Sequence, residues 1–362
     1  MNSTLPYSGQ REVLILNLDT FAAKNVSQIR LMEAEGYRFT VVTNDMRGAS
    51  RRVFDAQGFG RSQLVVLGGL RSKVVTVFSM LLRQRFHHVE LYAAGRLALL
   101  YLALIKLFGH RLVVIERGDI GSLGYYGWLT RLSIRLAYRL ADRVIYKETY
   151  MEEPLRSLTQ APLTFLPNCV ERRPAENHGK RDIDFLWANR VIPQRRPEWI
   201  AEAMADARLA DRSLVMLGVE PDTPFATHLP ERQRTLRALA APNVTIEAFI
   251  DPEPYYGEAR FFCLPATIVF GNNALFEAMA SGVVPIVTEA PGVGRIVEDG
   301  VNGFCTSFEE EAYREAMVRA AALSDAEWRT LSCRAVETVR QNYSAEAWAR
   351  KMTDVYASIG AS

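Results

Sequence analysis

Short apolar runs alternate with stretches of helical periodicity through the first half of the chain. Strands of a parallel sheet are buried on both faces, so they appear in a sequence as nearly continuous apolar runs. Such runs predict strands at 13–18, 39–43, 63–67, 89–94 and 112–116. The stretches between them predict helices at 72–86, 96–107 and 125–141, and a helix capped by Asn25 that ends before Gly36. This alternation is typical of consecutive βαβ units.

The same alternation restarts after a polar, charged stretch without periodicity, VERRPAENHGKRD at 170–182, which we interpret as an interdomain linker. Strands are predicted at 184–189, 213–218, 244–249, 260–265 and 283–287, with a helix at 196–207. A chain of 362 residues suits two domains. The sequence therefore predicts an α/β protein of two Rossmann-like, doubly wound domains that face a central cleft, the first at 1–175. Neither half has a GxGxxG after its first strand, which argues against a dinucleotide-binding oxidoreductase.

The composition indicates a globular protein whose two halves differ in charge. The chain is 49% hydrophobic and 23% charged. Residues 1–175 hold 24 Lys and Arg against 14 Asp and Glu, and the remainder holds 19 against 27, so the net charge of +2 is the sum of +10 and −8. A basic half joined to an acidic half implies different partners for the two halves. We predict no nucleic-acid partner.

The sequence predicts a cytoplasmic location. The first residues, MNSTLPYSGQ, lack a basic start followed by an apolar core, so no secretory signal is expected. The longest apolar run, LALLYLALI, has nine residues, whereas a membrane span needs about 20. Cys169, Cys263, Cys305 and Cys333 are scattered without a CxxC pair, which is typical of reduced thiols.

One carboxylate stands out in the stretch VFGNNALFEAMASGVVPIV at 269–287. If a helix begins near Asn273, Glu277 shares a face with the small residues Ala274, Ala278 and Ser281. The N–H groups of Gly271, Asn272 and Asn273 would then point at a phosphate. The Glu277 carboxylate could accept two hydrogen bonds from a vicinal diol, as on a ribose. The alternative is a buried Glu bonded to a neighbouring backbone group.

Two further stretches carry candidate ligand-binding residues. In NRVIPQRRPEW, Arg190, Arg195 and Arg196 follow a predicted strand, at the edge where parallel sheets bind ligands. Two of these guanidinium groups could grip a diphosphate, or the stretch could be a solvated basic loop. In PGVGRIVEDGVNGF, Gly292 and Gly294 allow close approach of a ligand to the backbone, although a plain turn explains them equally well.

Taken in order, these motifs resemble the retaining GT-B glycosyltransferases of family 4. That family combines an arginine–lysine pair with an E-x7-E motif in a segment similar to LPATIVFGNNALFEAMASGVVPIV, which matches without gaps from Leu264 to Pro285. The resemblance extends to LPNCVE at 166–171 and covers most of 160–305. The stretch SAEAWARKMTDVYASI is similar to the helix by which the family's chains cross back to the first domain. The resemblance therefore implies a nucleotide-sugar domain at 176–343 and a returning helix at 344–362.

The resemblance also implies roles for single residues. Arg190 and Arg195 would hold the donor diphosphate, with Arg195 where Lys is usual, and Glu277 would hold the ribose. Asn272 and Asn273 would line the phosphate end. The implied reaction is retaining transfer of a sugar from a UDP- or GDP-sugar to a glycan or lipid-linked acceptor. It would serve cell-surface polysaccharide or lipopolysaccharide biosynthesis, with no metal and no other cofactor.

The chain departs from the family pattern at two places near the sugar. Val269 stands where the first Glu of E-x7-E is usual, and Arg295 stands where the family's glycine loop carries Glu. If both face the sugar, they would suit a uronic acid or a deoxy sugar; otherwise Arg295 faces solvent and Val269 packs. No counterpart of the family's His is visible. In its place, IERGDIG offers Glu116 and Asp119, either of which could orient the acceptor.

Basic residues recur every fourth position in the first half, at Arg131, Arg135, Arg139, Arg143 and Lys147, beside Trp128, Leu129, Leu132, Leu136 and Tyr138. One interpretation is a peripheral contact with the anionic inner face of a membrane. The other is a solvated helix face whose apolar side is buried.

Two alternatives to a transferase also remain, a GT-B sugar-nucleotide epimerase and a non-catalytic subunit of a polysaccharide assembly complex.

Overall fold

The chain forms two units in this computed structural model. The structure describes residues 11–16, 23–43, 48–92, 95–118, 120–170, 181–218, 239, 241–247, 250–267 and 273–360. Unit 1 comprises Met1–Asn168 together with Ala345–Ser362, and unit 2 comprises Cys169–Ser344. Each unit has its own apolar core and its own parallel sheet.

The described residues of unit 1 form a seven-stranded sheet in the order β3-β2-β1-β4-β5-β6-β7, with every pair parallel. The strands are β1 (Arg11–Leu16), β2 (Tyr37–Thr43), β3 (Gln63–Val66), β4 (His88–Tyr92), β5 (Leu112–Glu116), β6 (Arg143–Tyr146) and β7 (Leu163–Phe165). The central strands β4 and β5 are buried along their whole length because helices cover both faces.

The helices of unit 1 lie in two layers. They are α1 (Ala23–Ala34), α2 (Gly48–Gln57), α3 (Leu70–Arg83), α4 (Arg96–Leu107), α5 (Trp128–Leu140), α6 (Glu152–Leu158) and α12 (Ala345–Gly360). Right-handed crossovers place α1 and α2 on one face of the sheet, and α3 to α6 on the other, because the strand order reverses direction after β3. Helix α12 packs on α1, where the Tyr356 ring lies 4.8 Å from the Tyr37 ring and its hydroxyl donates to Glu90.

Unit 2 has a second parallel sheet, which has six strands within the described residues, in the order β10-β9-β8-β11-β12-β13. These are β8 (Ile183–Ala188), β9 (Leu214–Leu217), β10 (Val244–Glu247), β11 (Ala259–Leu264), β12 (Val284–Thr288) and β13 (Phe304–Thr306). Its helices are α7 (Pro197–Ala203), α8 (Glu253–Glu258), α9 (Asn273–Ala280), α10 (Glu310–Ala321) and α11 (Asp325–Asn342). Trp187, Phe261 and Cys263 are fully buried in the core between these layers.

The predicted fold class of two doubly wound α/β domains is confirmed. Each predicted strand has a counterpart shifted by a few residues at most, and β5 and α4 begin and end where predicted. Strands β6, β7 and β13 were not predicted. Most of the predicted linker, at 171–180, lies outside the described residues.

The basic stripe predicted at Arg131, Arg135, Arg139, Arg143 and Lys147 was wrong in its last two members. Helix α5 ends at Leu140, and Arg143 opens β6, where its guanidinium donates to the Thr164 hydroxyl. Lys147 follows that strand. Because the helix ends before Arg143, neither Arg143 nor Lys147 extends the face of α5 that carries Arg131, Arg135 and Arg139. Tyr138, expected beside the stripe, is buried on the inner side of α5.

Candidate functional site

Three loops of unit 2 leave the same edge of its sheet. They follow β8, β11 and β12, which are neighbours in the sheet, and all three strands run in the same direction. The chain passes from β8 to β9, which pairs with one side of β8, and β11 pairs with the other side. The order of the strands in the sheet therefore reverses at β8. The carboxyl edge at such a reversal is where open α/β sheets bind ligands.

The first loop presents the predicted arginines in two different environments. Arg190 is exposed directly after β8, whereas Arg195 is only 8% exposed in the short 3-10 turn Pro193–Arg195. The N–H of Arg195 donates to the Ile192 carbonyl over 3.0 Å, which closes that turn. A buried guanidinium at a sheet edge has lost much of its hydration, so it interacts with an anion more strongly than an exposed one does.

Arg196 is held in an unusual backbone conformation at the end of this loop. Its φ of +35° lies in the left-handed region, which among the described residues no other non-glycine residue adopts. Such strain persists where surrounding contacts fix the chain. The Arg196 guanidinium lies 5.9 Å from the ring centroids of Trp199 and Phe308, and Pro197 opens α7. The third arginine therefore contacts aromatic rings.

The second loop begins beside the first. The Thr267 N–H donates to the Gln194 carbonyl over 3.0 Å, next to Arg195. The buried Thr288 hydroxyl exchanges hydrogen bonds of 2.8 Å with both backbone groups of Ala266, which ties the end of β12 to the end of β11. The chain is therefore held in place up to Thr267. Val269, Gly271 and Asn272 lie outside the described residues.

Helix α9 begins at Asn273, as predicted, and carries the candidate carboxylate. Asn273 is exposed, Glu277 is half-buried, and the following Ala278 faces the core. The hydroxyl of the buried Tyr256 donates to Glu277 Oε2 over 3.3 Å. This contact gives the carboxylate a defined orientation. Tyr256 was not singled out in the sequence, because its polar surroundings, DPEPYYGE, carry no signal for a partner 21 residues ahead.

Arg181 braces the two helices that meet at Glu277. Its guanidinium donates to the carbonyls of Tyr256 at 2.5 Å, Ala259 at 3.0 Å and Ser281 at 2.7 Å. It therefore joins the end of α8, the start of β11 and the turn after α9. The sequence analysis placed Arg181 in the predicted linker. Its partner Ser281 lies 100 residues further along the chain, so no local sequence pattern predicts this contact.

The third loop is connected to α9 through one tyrosine. Gly292 adopts a φ of +76° before the short turn Val293–Arg295, and the Arg295 side chain is exposed. The Tyr343 hydroxyl donates to the Arg295 carbonyl over 2.8 Å, and its ring stacks on Phe276 at 4.4 Å. Burial raises the pKa of Tyr343 to about 12, so this hydroxyl keeps its proton and remains a donor.

In unit 1, Glu116 holds a loop in place. Only 1% exposed at the end of β5, it accepts hydrogen bonds from the N–H groups of Gly118 at 2.6 Å and Ile120 at 3.2 Å, and from the Tyr138 hydroxyl. Its carboxylate therefore holds the backbone of Gly118 and Ile120 in place. Asp119 itself lies outside the described residues.

Lys24 lies at the start of α1, near Arg117 and Glu148. Burial lowers the pKa of Lys24, the nearby Arg117 lowers it further, and Glu148 opposes the shift.

In the described part of the chain, no three His, Cys, Asp or Glu side chains converge as a metal site. No described helix is both long and apolar enough to cross a membrane.

Residues 182–322 match the family model described as glycosyl transferases group 1. In sequence, the chain is 28% identical over 122 residues to glycogen synthase of Chlamydia caviae, a match that covers 33% of this chain and 25% of that protein. The match thus spans about a quarter of the length of that curated relative.

Solved structures resemble the chain over nearly its whole length. Alr3699/HepE of Anabaena, in complex with UDP and glucose, has a TM-score of 0.73 at 15% identity, covering 96% of this chain and 100% of that one. Sucrose-phosphate synthase (tll1590) of Thermosynechococcus elongatus has a TM-score of 0.73 at 17% identity, covering 98% and 100%. The likeness establishes the GT-B fold. Together, the family match and this structural similarity support the interpretation of the chain as a GT-B glycosyltransferase.

Proposed function

We propose that the chain is a retaining glycosyltransferase that moves a sugar from a nucleoside-diphosphate sugar to a glycan or lipid-linked acceptor. One observation carries the proposal: the arginine loop and the Glu277 helix meet at the carboxyl edge of β8, β11 and β12, inside the segment that matches the glycosyltransferase family model. The likeness of the fold to a protein solved with UDP and glucose supports a nucleotide-sugar donor.

In this proposal each donor group meets a chemically suited residue. Arg190 and Arg195 bind the diphosphate, because a guanidinium fork matches two phosphate oxygens. The N-terminal end of α9, at Asn273, adds N–H groups and the positive end of the helix dipole. Glu277, oriented by Tyr256, accepts hydrogen bonds from the ribose hydroxyls.

The reaction that we propose separates the sugar from its diphosphate. Negative charge grows on the leaving diphosphate, and the two guanidinium groups, already fixed in place, stabilise it without a metal ion. The acceptor attacks from the face that the diphosphate leaves, so the anomeric configuration is retained. Glu116 acts as a positioning residue for its loop, and Asp119 orients the acceptor.

The first experiment is a donor panel. Melting temperatures are measured with UDP and GDP, and turnover is then measured with their sugars, with and without acceptor, in the presence of EDTA. A retaining transferase consumes the donor only when acceptor is present and keeps its activity in EDTA. An epimerase would convert the donor alone, and a non-catalytic subunit would turn over nothing. Either result contradicts the proposal.

Single substitutions test the residue assignments. Arg190→Ala or Arg195→Ala is expected to cost about 2–4 kcal/mol of transition-state stabilisation, measured as kcat/KM, because a charge-assisted contact to the leaving group is lost. Arg329→Ala removes an exposed arginine from α11 and serves as the matched control. Unchanged kcat/KM in the Arg190→Ala/Arg195→Ala double variant contradicts the diphosphate assignment.

The same panel addresses the donor sugar. Arg295 presents an exposed guanidinium on the loop of Gly292, and we propose that it favours a sugar bearing its own carboxylate. UDP-glucuronate is expected to react faster than UDP-glucose, and Arg295→Glu is expected to reverse that order. A preference for UDP-glucose that Arg295→Glu leaves unchanged rules this donor out.

A further inference from the structure

Helix α3 of unit 1 is apolar on both of its sides. Val77 and Leu81 face the core, as expected for a helix that covers a sheet. Val75, Phe78 and Leu82 point the opposite way and are exposed, Val75 to 65%. A surface helix normally turns polar residues outward. Three large apolar residues on one outward face therefore indicate an interaction surface.

The exposed apolar surface continues onto the next two helices. The Phe78 ring lies 5.3 Å from the ring of Phe108, just after α4, and Leu107 beside it is 73% exposed. Helix α4 packs in turn on α5, whose outward side carries Trp128, 69% exposed, and Leu132. We name the outward side of α3, α4 and α5 the basic apolar face.

The charges on this face are of one sign. None of the three helices contains Asp or Glu. Helix α5 carries Arg131, Arg135 and Arg139 outward, and α3 contributes Arg71 and Arg83, all exposed. Within the described chain, no carboxylate forms an ion pair with any of these five arginines. On α4, Lys106 does pair, with Asp142 at 2.9 Å.

We propose that the basic apolar face docks on an anionic lipid bilayer. Apolar side chains enter the boundary between headgroups and acyl chains, the arginines contact anionic headgroups, and Trp128 and the exposed Tyr125 suit the interface itself. A symmetric contact of this face with the same face of a second copy fits poorly, because it would bring arginines against arginines with no carboxylate to pair them. A nucleic acid would leave Val75, Leu82 and Leu107 without apolar partners.

This inference deepens the lipid-linked acceptor of the proposed function, but its test does not depend on turnover. The full chain is sedimented with vesicles of phosphatidylglycerol and phosphatidylcholine in equal amounts, and separately with vesicles of phosphatidylcholine alone. It is expected to bind the anionic vesicles, and more weakly as salt rises. Vesicle binding without sugar transfer would contradict the proposed function alone, and sugar transfer to a soluble acceptor without vesicle binding would contradict the docking face alone.

Two double variants separate the contributions. Arg135→Ala/Arg139→Ala is expected to weaken binding roughly 30-fold, since each basic residue near an anionic surface contributes about a factor of five. Val75→Ser/Leu82→Ser leaves the charge unchanged and is expected to weaken binding about tenfold or more, because two apolar side chains no longer enter the bilayer. The matched control, Arg329→Ala/Arg334→Ala on α11 of unit 2, removes two exposed arginines elsewhere and is expected to bind as the wild type does.

The docking face is overturned if the wild type does not sediment with anionic vesicles, or if both face variants bind as tightly as the control. Retention on immobilised polyglutamate without vesicle binding would identify an acidic protein partner and would equally overturn it. Circular-dichroism melting of each variant confirms that the fold is intact, as expected for substitutions at exposed positions.

Discussion

The two units have similar sheets but use their charged residues differently. Among the described residues, the buried carboxylates Glu33, Glu90 and Glu116 all belong to unit 1, whereas Arg195 is the buried charged residue of unit 2. In unit 1 each buried carboxylate holds a piece of structure. Glu33 accepts hydrogen bonds from the N–H groups of Gly60, Arg61 and Ser62, Glu90 binds the Tyr356 hydroxyl, and Glu116 binds its own loop.

The difference shows that formal charge and surface charge are separate quantities. Unit 1 has the excess of Lys and Arg, and it also withdraws three carboxylates from its surface. Its exterior is therefore more basic than the composition indicates. In unit 2 the half-buried Glu277 stands at the sheet edge, in contact with Tyr256, where a ligand can reach it. Buried charge in unit 1 stabilises the fold, and buried charge in unit 2 lies at the candidate site.

The largest expected effect tests this contrast directly. Glu116→Ala is expected to lower the free energy of unfolding by about 3–5 kcal/mol, because each of three buried donors that loses its acceptor costs about 1–3 kcal/mol, partly recovered by entering water. Glu277→Ala is expected to cost less, about 1–2 kcal/mol, because the buried Tyr256 hydroxyl loses its acceptor, and to weaken nucleoside-diphosphate binding as well. Urea denaturation and isothermal calorimetry measure the two quantities. Equal losses of stability would remove the distinction between the units.

The next effect concerns how unit 2 is held together, since none of its described carboxylates is buried. A Cβ added at Gly303 would lie 2.6 Å from Pro285 Cγ and 2.7 Å from the Pro285 carbonyl oxygen, so the backbone of β12 has to move. Gly303→Ala is expected to destabilise the chain by about 1–3 kcal/mol, as overpacking does.

Gly294→Ala is the matched control for the Gly303 substitution, because nothing lies within 4 Å of a Cβ at that position. Urea denaturation compares the two variants with the wild type. A destabilised Gly294 variant beside an unaffected Gly303 variant would show that steric fit between β12 and β13 does not hold unit 2.

The smallest effect is a pH dependence that belongs to unit 1. Burial acts to raise the pKa of Glu33, but the Ser62 hydroxyl and the three N–H groups outweigh it, so the pKa lies below the ordinary value of 4.5. A lowered carboxyl pKa stabilises the fold fully above that ordinary value, and this stabilisation is lost as the pH falls through the folded-state pKa. Urea midpoints at pH 6 and below pH 4.5 are expected to differ less in Glu33→Gln than in the wild type. An identical difference in both proteins would remove Glu33 from this role.

The sequence predicted those elements whose signal is local. Parallel strands such as β5 are apolar along their length, and α4 is bounded by a change of pattern at each end, so both were found to the residue. Strand β6 was missed because its four residues follow an arginine-rich helix, and the spacing of basic residues continued through it. The error arose from continuing the spacing of basic residues beyond 141, where the predicted helix already ends.

The candidate site was predictable only in part. The start of α9 and the position of Glu277 on it follow from helical spacing and from the family resemblance. The groups that orient Glu277 do not, because Tyr256 and Arg181 reach it and its helix from 21 and 100 residues away. Likewise, Glu116 was noticed as a polar residue at a strand end, but its partner Tyr138 depends on how α5 packs on the sheet.

Helix α12 gives the two units different histories during synthesis. All of unit 2 lies between Cys169 and Ser344, so its residues are complete before α12 is made. Unit 1 still lacks Trp348 and Tyr356, which cover α1 and Tyr37, until Gly360 has left the ribosome. In ribosome-bound chains that carry Ser344 followed by a flexible linker long enough to bring it out of the exit tunnel, we expect protease to cleave α1 readily and to spare α9; equal protection of both would refute this order. The segment that is translated first is thus expected to reach its native state last.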